Sequence, residues 1–305
     1  MLAKILPDYL NRIIGNKLNY EKLYELRIRA EKPVVINYGG KYLHLTPDGV
    51  SPQADGAVLA DRKLIDSIIY KASEFSVYAV NEQIKNGYIT VGGGVRIGLA
   101  GELVYENGAI RTQKNFSAIN IRIPHEVRNC SLNAFGYIYN ADIFNTLVIS
   151  PPGAGKTTFV RDLAKNISEL PIPVNIMVID ERSEIAACVN GVPQLDVGKY
   201  TDVLSNCSKE YGFSSGIRTL KPDVIITDEL ATKEDIDAAA YAVSCGVKVI
   251  ATTHAFDHLD IELKPNFSAV VKNKIFDRFV VLSCRKGPGT YEGIYDAAFS
   301  SLYFP

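Results

Sequence analysis

The sequence lacks a marked excess of charge of either sign. Its 305 residues include 33 Lys and Arg against 34 Asp and Glu, so the formal net charge at pH 7 is −1. A chain without a strong field gives no electrostatic reason to expect nucleic acid or anionic lipid as a partner. No basic stripe with interleaved aromatic residues stands out, and nucleic acid is therefore not an expected partner.

Long apolar runs are missing as well. No uninterrupted apolar stretch approaches the roughly 18 residues that indicate a membrane span. The first ten residues contain Lys4, Pro7 and Asp8, which interrupt them too early for the hydrophobic region of a signal peptide. These absences predict a cytosolic protein.

Cysteine is scarce and follows neither a metal-binding nor a disulfide spacing. The five cysteines are odd in number and none lies in C-x-x-C spacing: Cys130, Cys188, Cys207, Cys245 and Cys284. Neither a disulfide framework nor a zinc site is predicted. We expect all five to be reduced, because an isolated cysteine commonly packs as a small apolar residue.

The first part of the chain is typical of a small α+β domain. The chain exceeds one typical domain of about 100 to 200 residues, which favours two domains. The apolar spacing over 61–73 predicts an amphipathic helix. Residues 95–100 alternate as in a half-buried strand. The Asn107-Gly108 pair predicts a hairpin turn, because both residues tolerate a positive φ.

After about residue 125 the pattern changes to short apolar strands separated by helical segments. This alternation predicts an α/β fold with a parallel, doubly wound sheet. The predicted strands are 146–150, 175–180, 223–228, 247–253 and 279–284, and a helix is predicted at 233–245. The boundary is expected within 124–140, and we divide the chain into residues 1–125 and 126–305.

A phosphate-binding loop follows the first of these strands. It lies between a strand pattern and a helical pattern, which is the context that a P-loop requires. The residues predicted to bind the phosphates of ATP are Ser150, Pro151, Pro152, Gly153, Ala154, Gly155, Lys156, Thr157 and Thr158. Lys156 is expected to reach the β and γ phosphates, and Thr157 to bind Mg²⁺ through its hydroxyl. Ser150 departs from the motif, since a glycine is expected there.

A second acidic strand end lies roughly seventy residues later. Residues 223–229 read Asp-Val-Ile-Ile-Thr-Asp-Glu, which resembles a Walker B sequence. The carboxyl ends of neighbouring parallel strands meet at one edge of a sheet, so we expect Asp228 beside the P-loop as a ligand of Mg²⁺. Glu229 is predicted to orient and polarise the attacking water.

Two other strand ends carry candidate catalytic residues. Strand 175–180 runs into Glu181 and Glu184, which are either further catalytic carboxylates or the solvated start of a helix. Strand 247–253 runs into His254, which is either a contact of the γ phosphate or a histidine satisfied within a turn. The remaining histidines are expected to be structural: His44, His125 and His258.

These segments together resemble the stage III sporulation protein AA family of traffic ATPases, which is related to type II and type IV secretion ATPases. The resemblance covers nearly the whole chain. It rests on residues 150–158, 180–186, 196–204, 217–225 and 252–255, together with 25–30 and 87–123.

The resemblance implies a RecA-like P-loop domain preceded by a smaller α+β N-terminal domain. It also implies a Mg²⁺-dependent ATPase that forms a homo-hexameric ring in an endospore-forming cell. Such a ring would lie at the cytosolic face of the mother-cell membrane, docked on subunits of a secretion-like channel. In family terms, residues 180–184 correspond to the aspartate box, and His254 belongs to the histidine box.

An arginine from the N-terminal domain is expected to complete the site. Related secretion ATPases carry arginines in the part of the chain that contains Arg122, with Arg96 and Arg111 as rivals. The three isoleucines of strand 119–123 share one face, so Arg122 is expected to project from the other face. A guanidinium there would suit the oxygens of the γ phosphate across an interface between domains or subunits. The alternative is a surface arginine beside an unrelated carboxylate.

Two other functions remain open. The chain is alternatively an ATPase that acts on nucleic acid, related to plastid and bacterial AAA proteins with similar motifs. It is alternatively a nucleotide-dependent assembly scaffold, in which ATP holds a ring together and turnover is incidental. Stimulation of hydrolysis by nucleic acid would favour the first alternative, and slow turnover with nucleotide-dependent ring formation would favour the second.

Overall fold

The chain folds into two compact units, Met1–His125 and Glu126–Pro305. The computed structural model describes residues 2–76, 80–125, 127–267, 270–271 and 273–303. In these ranges no helix has the length and apolarity that crossing a membrane needs. Each unit is described by itself.

The N-terminal unit is built on an antiparallel sheet of seven strands, in the order β5-β4-β3-β1-β9-β8-β7, and β2 and β6 form a separate pair. Its helices are α1 (Leu2–Ile5), α2 (Asp8–Lys17), α3 (Arg62–Ala72) and α4 (Asn81–Lys85). Its strands are β1 (Leu23–Arg29), β2 (Lys32–Pro33), β3 (Val35–Tyr38), β4 (Lys41–Thr46), β5 (Gly49–Ser51), β6 (Leu59–Ala60), β7 (Tyr88–Val91), β8 (Val95–Glu106) and β9 (Ala109–Arg122).

Helix α3 and the β8–β9 hairpin confirm two local predictions. Helix α3 begins after Asp61, whose carboxylate accepts the Leu64 N–H at 2.8 Å. Its buried residues are those of the predicted apolar face: Leu64, Ile65, Ile68, Ile69 and Ala72. The hairpin turns at Asn107 and Gly108, whose φ angles of 52° and 78° suit the right-handed twist of the two strands.

One face of this sheet carries arginines. Four lie on the face opposite the apolar core: Arg27 and Arg29 on β1, Arg96 on β8 and Arg122 on β9. The registers bring them together, because Arg122 lies opposite Arg96 on one side and opposite Glu25 on the other. The linear sequence shows no basic stripe because these four arginines come from distant segments. The sheet brings them together on one face.

The C-terminal unit contains a sheet of eight strands in the order β14-β13-β15-β16-β12-β17-β18-β19, and a separate pair of β10 and β11. Its helices are α5 (Leu132–Ile138), α6 (Lys156–Ser168), α7 (Lys209–Leu220), α8 (Lys233–Ser244) and α9 (His258–Leu263). Its strands are β10 (Tyr139–Asn140), β11 (Asp142–Ile143), β12 (Thr146–Ser150), β13 (Ile176–Asp180), β14 (Thr201–Ser205), β15 (Val224–Glu229), β16 (Lys248–His254), β17 (Arg278–Ser283), β18 (Thr290–Asp296) and β19 (Ser301–Tyr303).

All five predicted strands of this sheet form, each within one residue of its predicted bounds. The six strands from β14 to β17 in the sheet order are parallel. Strands β18 and β19, which are not among the predicted strands, pair antiparallel at the other edge of the predicted parallel sheet. Strand β18 is largely half-buried and β19 is largely exposed, and neither has the continuous apolar run of a central strand.

The sheet is covered on both faces, as doubly wound sheets are. Helices α5 and α6 pack on one face and α7 and α8 on the other, and each face forms its own apolar core. Strand residues alternate between the two cores, for example Val148 and Ile149 on β12. This arrangement leaves the carboxyl ends of the strands for polar residues.

Candidate nucleotide-binding site

The loop after β12 has the backbone that a phosphate-binding loop needs. All five residues of β12 are buried, and α6 begins only a few residues later at Lys156. Gly153 and Gly155 have φ angles of 77° and 90°, which residues with a side chain rarely adopt. Gly155 is the N-cap of α6, and no side chain caps the first N–H groups of this helix. The partly positive helix end is thus available to an anion.

The Lys156 ammonium lies among three acceptors. It donates to the Ser150 carbonyl oxygen at 3.2 Å, to the Ser150 Oγ at 3.3 Å and to the His254 Nδ1 at 2.8 Å. Burial lowers the Lys156 pKa to about 8, the nearby Glu229 charge opposes this shift, and the Lys264 charge adds to it. A buried cation with three weak neutral partners is well suited to receive phosphate oxygens.

Ser150 fits the position where the motif has a glycine. It is the last residue of β12, so its backbone is extended and requires no left-handed conformation. Its hydroxyl donates to the Pro151 carbonyl oxygen at 2.9 Å and accepts from Lys156. The side chain therefore adds one acceptor for the lysine.

His254 connects the lysine to Glu229. The parallel register of β12 and β16 places His254 opposite Ser150. Because an ammonium can only donate, the His254 Nδ1 accepts from Lys156, and the neutral ring carries its proton on Nε2. This Nε2 lies 3.5 Å from the Glu229 Oε2. His254 is the last residue of β16 and does not lie within a turn. Its contact with the γ phosphate stays a prediction.

The Walker B strand is not the direct neighbour of the P-loop strand. Strand β16 lies between β15 and β12, so His254, and not Asp228, ends the adjacent strand. The β15–β16 register shifts by one residue between Ile226 and Glu229. A bulge of this kind changes the direction of side chains next to a site. It gives Asp228 and Glu229 different surroundings.

Asp228 is a buried carboxylate with a raised pKa. Only 8% of the residue is exposed. Burial raises the Asp228 pKa to about 6, Lys209 opposes the shift, and the charges of Asp180 and Glu181 add to it. The Lys209 Nζ lies 2.9 Å from the Asp228 Oδ1 and also forms an ion pair with Glu181.

Asp180 organises the acidic segment after β13. Its buried carboxylate accepts four backbone N–H groups at 2.8 to 3.3 Å, those of Glu184, Ile185, Ala186 and Ala187. The segment is a turn with left-handed residues at Ser183 and Ala187, whose φ angles are 52° and 49°. The helix start considered as the alternative for Glu181 and Glu184 is therefore wrong.

Helix α6 fixes two segments in addition to the P-loop. Arg161 donates to the carbonyl oxygens of Glu184 and Ile185 at 2.6 and 2.5 Å. The Asp162 carboxylate accepts the N–H and the hydroxyl of Ser131 at 2.8 and 2.6 Å. The acidic turn and the segment before α5 are thus both held by the helix that begins at the P-loop.

The arginine candidates all lie in the N-terminal unit. Arg122 is exposed on β9, on the face opposite its neighbouring isoleucines as expected. Arg96 stacks on the Tyr88 ring at 4.0 Å, and Arg111 forms an ion pair of 3.4 Å with Glu106.

Three cations near the site are absent from the sequence-based prediction: Arg161, Lys209 and Lys264. Lys264 donates to the His254 carbonyl oxygen. Of the three, only Lys209 had a local sequence signal for its position: it follows Ser208, a residue type that is typical of helix N-caps. Strand β14, which precedes it, was not predicted. The signal was too weak because the partners of Lys209 lie on two other strands.

The residues present fit a Mg²⁺ ion that arrives with phosphates. Thr157 in the first turn of α6 and Asp228 offer the hard oxygen ligands that Mg²⁺ prefers. Among the described residues, no group of three or more His, Cys, Asp and Glu side chains could hold a metal ion by itself. Mg²⁺ in nucleotide sites takes few protein ligands, and an added cation would stabilise the charged form of the buried Asp228.

Comparison with solved structures shows the class of fold. The Legionella pneumophila ATPase DotB matches with a TM-score of 0.60 at 15% identity, over 90% of this chain and 76% of that one. The pilus retraction motor PilT with bound ADP matches with a TM-score of 0.59 at 15% identity, over 89% of this chain and 76% of that one. The chain has the fold of RecA-like secretion ATPases, with a smaller α+β N-terminal part.

Comparison with families and relatives is more specific. The family model described as sporulation stage III, protein AA matches residues 1–302. Stage III sporulation protein AA of Bacillus subtilis (strain 168) is 35% identical over 300 residues, which are 97% of this chain and 94% of that protein. The chain belongs to the sporulation stage III, protein AA family.

The raised pKa of Asp228 predicts a pH dependence of stability. The Asp228 carboxyl group has its ordinary pKa of 3.8 in the unfolded chain and a pKa of about 6 in the folded protein. The folded protein therefore binds this proton more tightly. This contribution to stability is complete below the unfolded pKa and is lost as the pH rises through the folded pKa. Between about pH 4 and pH 6, we expect the unfolding free energy of the native protein to fall relative to Asp228→Asn by up to about 3 kcal/mol.

Urea denaturation at a series of pH values measures this difference. Asp202→Asn removes an exposed carboxylate from the edge strand β14 and is the matched control, with the native pH dependence expected. Parallel curves for the native protein and Asp228→Asn would contradict the assignment.

Proposed function

We propose that the chain is a Mg²⁺-dependent ATPase of the secretion type. The observation that carries this proposal is the chain of contacts from Lys156 through His254 to Glu229 at the end of a P-loop strand. A phosphate-binding cation and a candidate water-activating carboxylate are thereby linked through one imidazole. The buried Asp228 nearby adds the ligand that a nucleotide-bound Mg²⁺ requires.

Each residue has a defined task in this mechanism. The glycines and the first N–H groups of α6 bind the phosphates, and the Lys156 ammonium exchanges its neutral acceptors for phosphate oxygens. Thr157 and Asp228 would hold a Mg²⁺ ion, which would supply positive charge beside the phosphates. Glu229 orients and polarises the water, and the His254 Nε2–H keeps the Glu229 carboxylate in place.

The relatives support part of the role that we propose. The structures with similar folds are those of an ATPase and of a pilus retraction motor with bound ADP. The family name supports a role in sporulation. We propose a homo-hexameric motor in the cytoplasm that docks peripherally on channel subunits in the mother-cell membrane. A nucleotide-dependent scaffold is the alternative, to be distinguished by the turnover rate.

Replacement of Lys156 tests the proposed function. In Lys156→Ala the phosphates lose their principal protein cation, so we expect hydrolysis to fall below detection and ADP binding to weaken. Phosphate release and calorimetric titration measure the two effects. Lys233→Ala removes an exposed lysine from α8 and should keep native activity. Turnover by Lys156→Ala within about twofold of the native rate would show that the P-loop is not the working site.

Replacement of Glu229 tests the assignment of the water-activating group. Glu229→Gln keeps the shape but loses the charge, so Mg²⁺-ATP should still bind while turnover falls by roughly 10² or more. Rates are compared with those of Glu181→Gln and Glu184→Gln under the same conditions. A larger loss in either of these variants would assign the role to the acidic turn after β13.

Arg122 is proposed to act on the triphosphate of a neighbouring subunit. If so, Arg122→Ala and Lys156→Ala are each inactive, and mixing exchangeable subunits restores partial activity, because some interfaces then carry both intact residues. Arg62→Ala, at the exposed first residue of α3, is the matched control and should be active alone. Full activity of Arg122→Ala alone would refute the proposal.

The arginine face of the N-terminal sheet supports a second candidate, an ATPase that acts on nucleic acid. Four guanidinium groups on one face could bind phosphates of a polynucleotide. Hydrolysis measured with single-stranded and duplex DNA distinguishes the candidates, because strong stimulation that declines with salt is expected only for the second one.

A further inference from the structure

Lys209 is a buried lysine that the mechanism above does not use. Its side chain is only 3% exposed, and it pairs with both Asp228 and Glu181. Asp228 is the next-to-last residue of β15 and Glu181 follows β13, and these two strands are neighbours in the sheet. One ammonium therefore joins the two acidic strand ends.

The position of Lys209 follows from the close packing of α7 on β13. A Cβ atom at Gly212 would lie 2.8 Å from the Ile179 Cγ2, and one at Gly216 would overlap the Met177 side chain. These glycines, four residues apart, lie on one face of the helix. Their lack of side chains lets α7 approach the strand, so that its first residue reaches the carboxyl edge of the sheet.

The helix itself does not favour a cation at this place. Lys209 follows the N-cap Ser208, whose hydroxyl accepts the Tyr211 N–H at 3.3 Å. A positive charge in the first turn opposes the helix dipole, and burial adds the loss of solvation. The attraction of the two carboxylates must therefore outweigh both effects, since Lys209 forms ion pairs with both of them.

We propose that Lys209 is a positioning residue that holds Asp228 and Glu181 together and reduces the negative charge that an incoming nucleotide meets. The inference rests on the proposed nucleotide site. Asp180, Asp228 and Glu181 form an acidic cluster, and Lys209 is the lysine in direct contact with two of its members. A nucleotide carries several negative charges, so the cluster without its ammonium would repel it more strongly.

The role of Lys209 differs between nucleotide with and without Mg²⁺. The metal ion brings its own positive charge to Asp228 and replaces part of what Lys209 supplies. Loss of Lys209 should therefore weaken the binding of metal-free nucleotide more than the binding of the Mg²⁺ complex. A lysine that only supports the fold would affect both to the same extent.

Calorimetric titration with ADP, which avoids hydrolysis, tests this difference at a single, mildly alkaline pH. For Lys209→Met we expect the affinity for metal-free ADP to fall by about tenfold or more, and the affinity for Mg²⁺-ADP to fall by clearly less. Lys209→Arg keeps the charge and should bind both forms within about threefold of the native protein. Lys233→Met is the matched control, because Lys233 is also the first residue of a helix after a hydroxyl N-cap but is exposed. This variant should bind both forms of ADP as the native protein does.

A double variant separates charge balance from loss of structure. Glu181→Gln combined with Lys209→Met restores the net charge of the cluster, so metal-free ADP should bind more tightly than to Lys209→Met alone. Equal losses for both forms of ADP, or a further loss in the double variant, would overturn the inference. If the native protein itself binds no ADP, the proposed nucleotide site is wrong, which is a different outcome.

Discussion

Ionised groups buried at the carboxyl edge of the parallel sheet each require a compensating partner, and the site is arranged around this requirement. An unpaired charge out of water would destabilise the fold by several kcal/mol. Asp180 is compensated by backbone N–H groups, Asp228 by Lys209, and Lys156 by neutral acceptors only. The lysine of the P-loop is the member of this set without a full counter-charge in contact, and a phosphate supplies one.

The same requirement explains how separate strands act as one site. Parallel strands contribute only their last residues to this edge, so each strand brings one or two polar groups. Contacts between strand ends then define the geometry: Ser150 with His254 on adjacent strands, and Asp228 with Glu181 through Lys209. The site depends on strand order, which the sequence does not display.

Much of this fold was predictable because its signals are local. The strand, loop and helix around Lys156 form one continuous segment, and buried parallel strands are distinct apolar runs. The role of Lys209 was not predictable, because it depends on ion pairs with two carboxylates that come from other strands. Strands β14, β18 and β19 lie at or next to the two edges of the sheet, and they escaped prediction because they are less buried than the central strands and lack a clear apolar pattern. The arginine face depends on register between residues as distant as Arg27 and Arg122.

Helix α6 has a mechanical consequence beyond its anion-binding end. It is 13 residues long, which corresponds to about 20 Å of rigid rod. Its start belongs to the P-loop, and its middle is bonded through Arg161 to the acidic turn and through Asp162 to the segment before α5. No flexible joint separates these three attachments. A displacement of the phosphate-binding end of α6 would therefore move the acidic turn and the segment before α5 together, because one rigid helix is bonded to both.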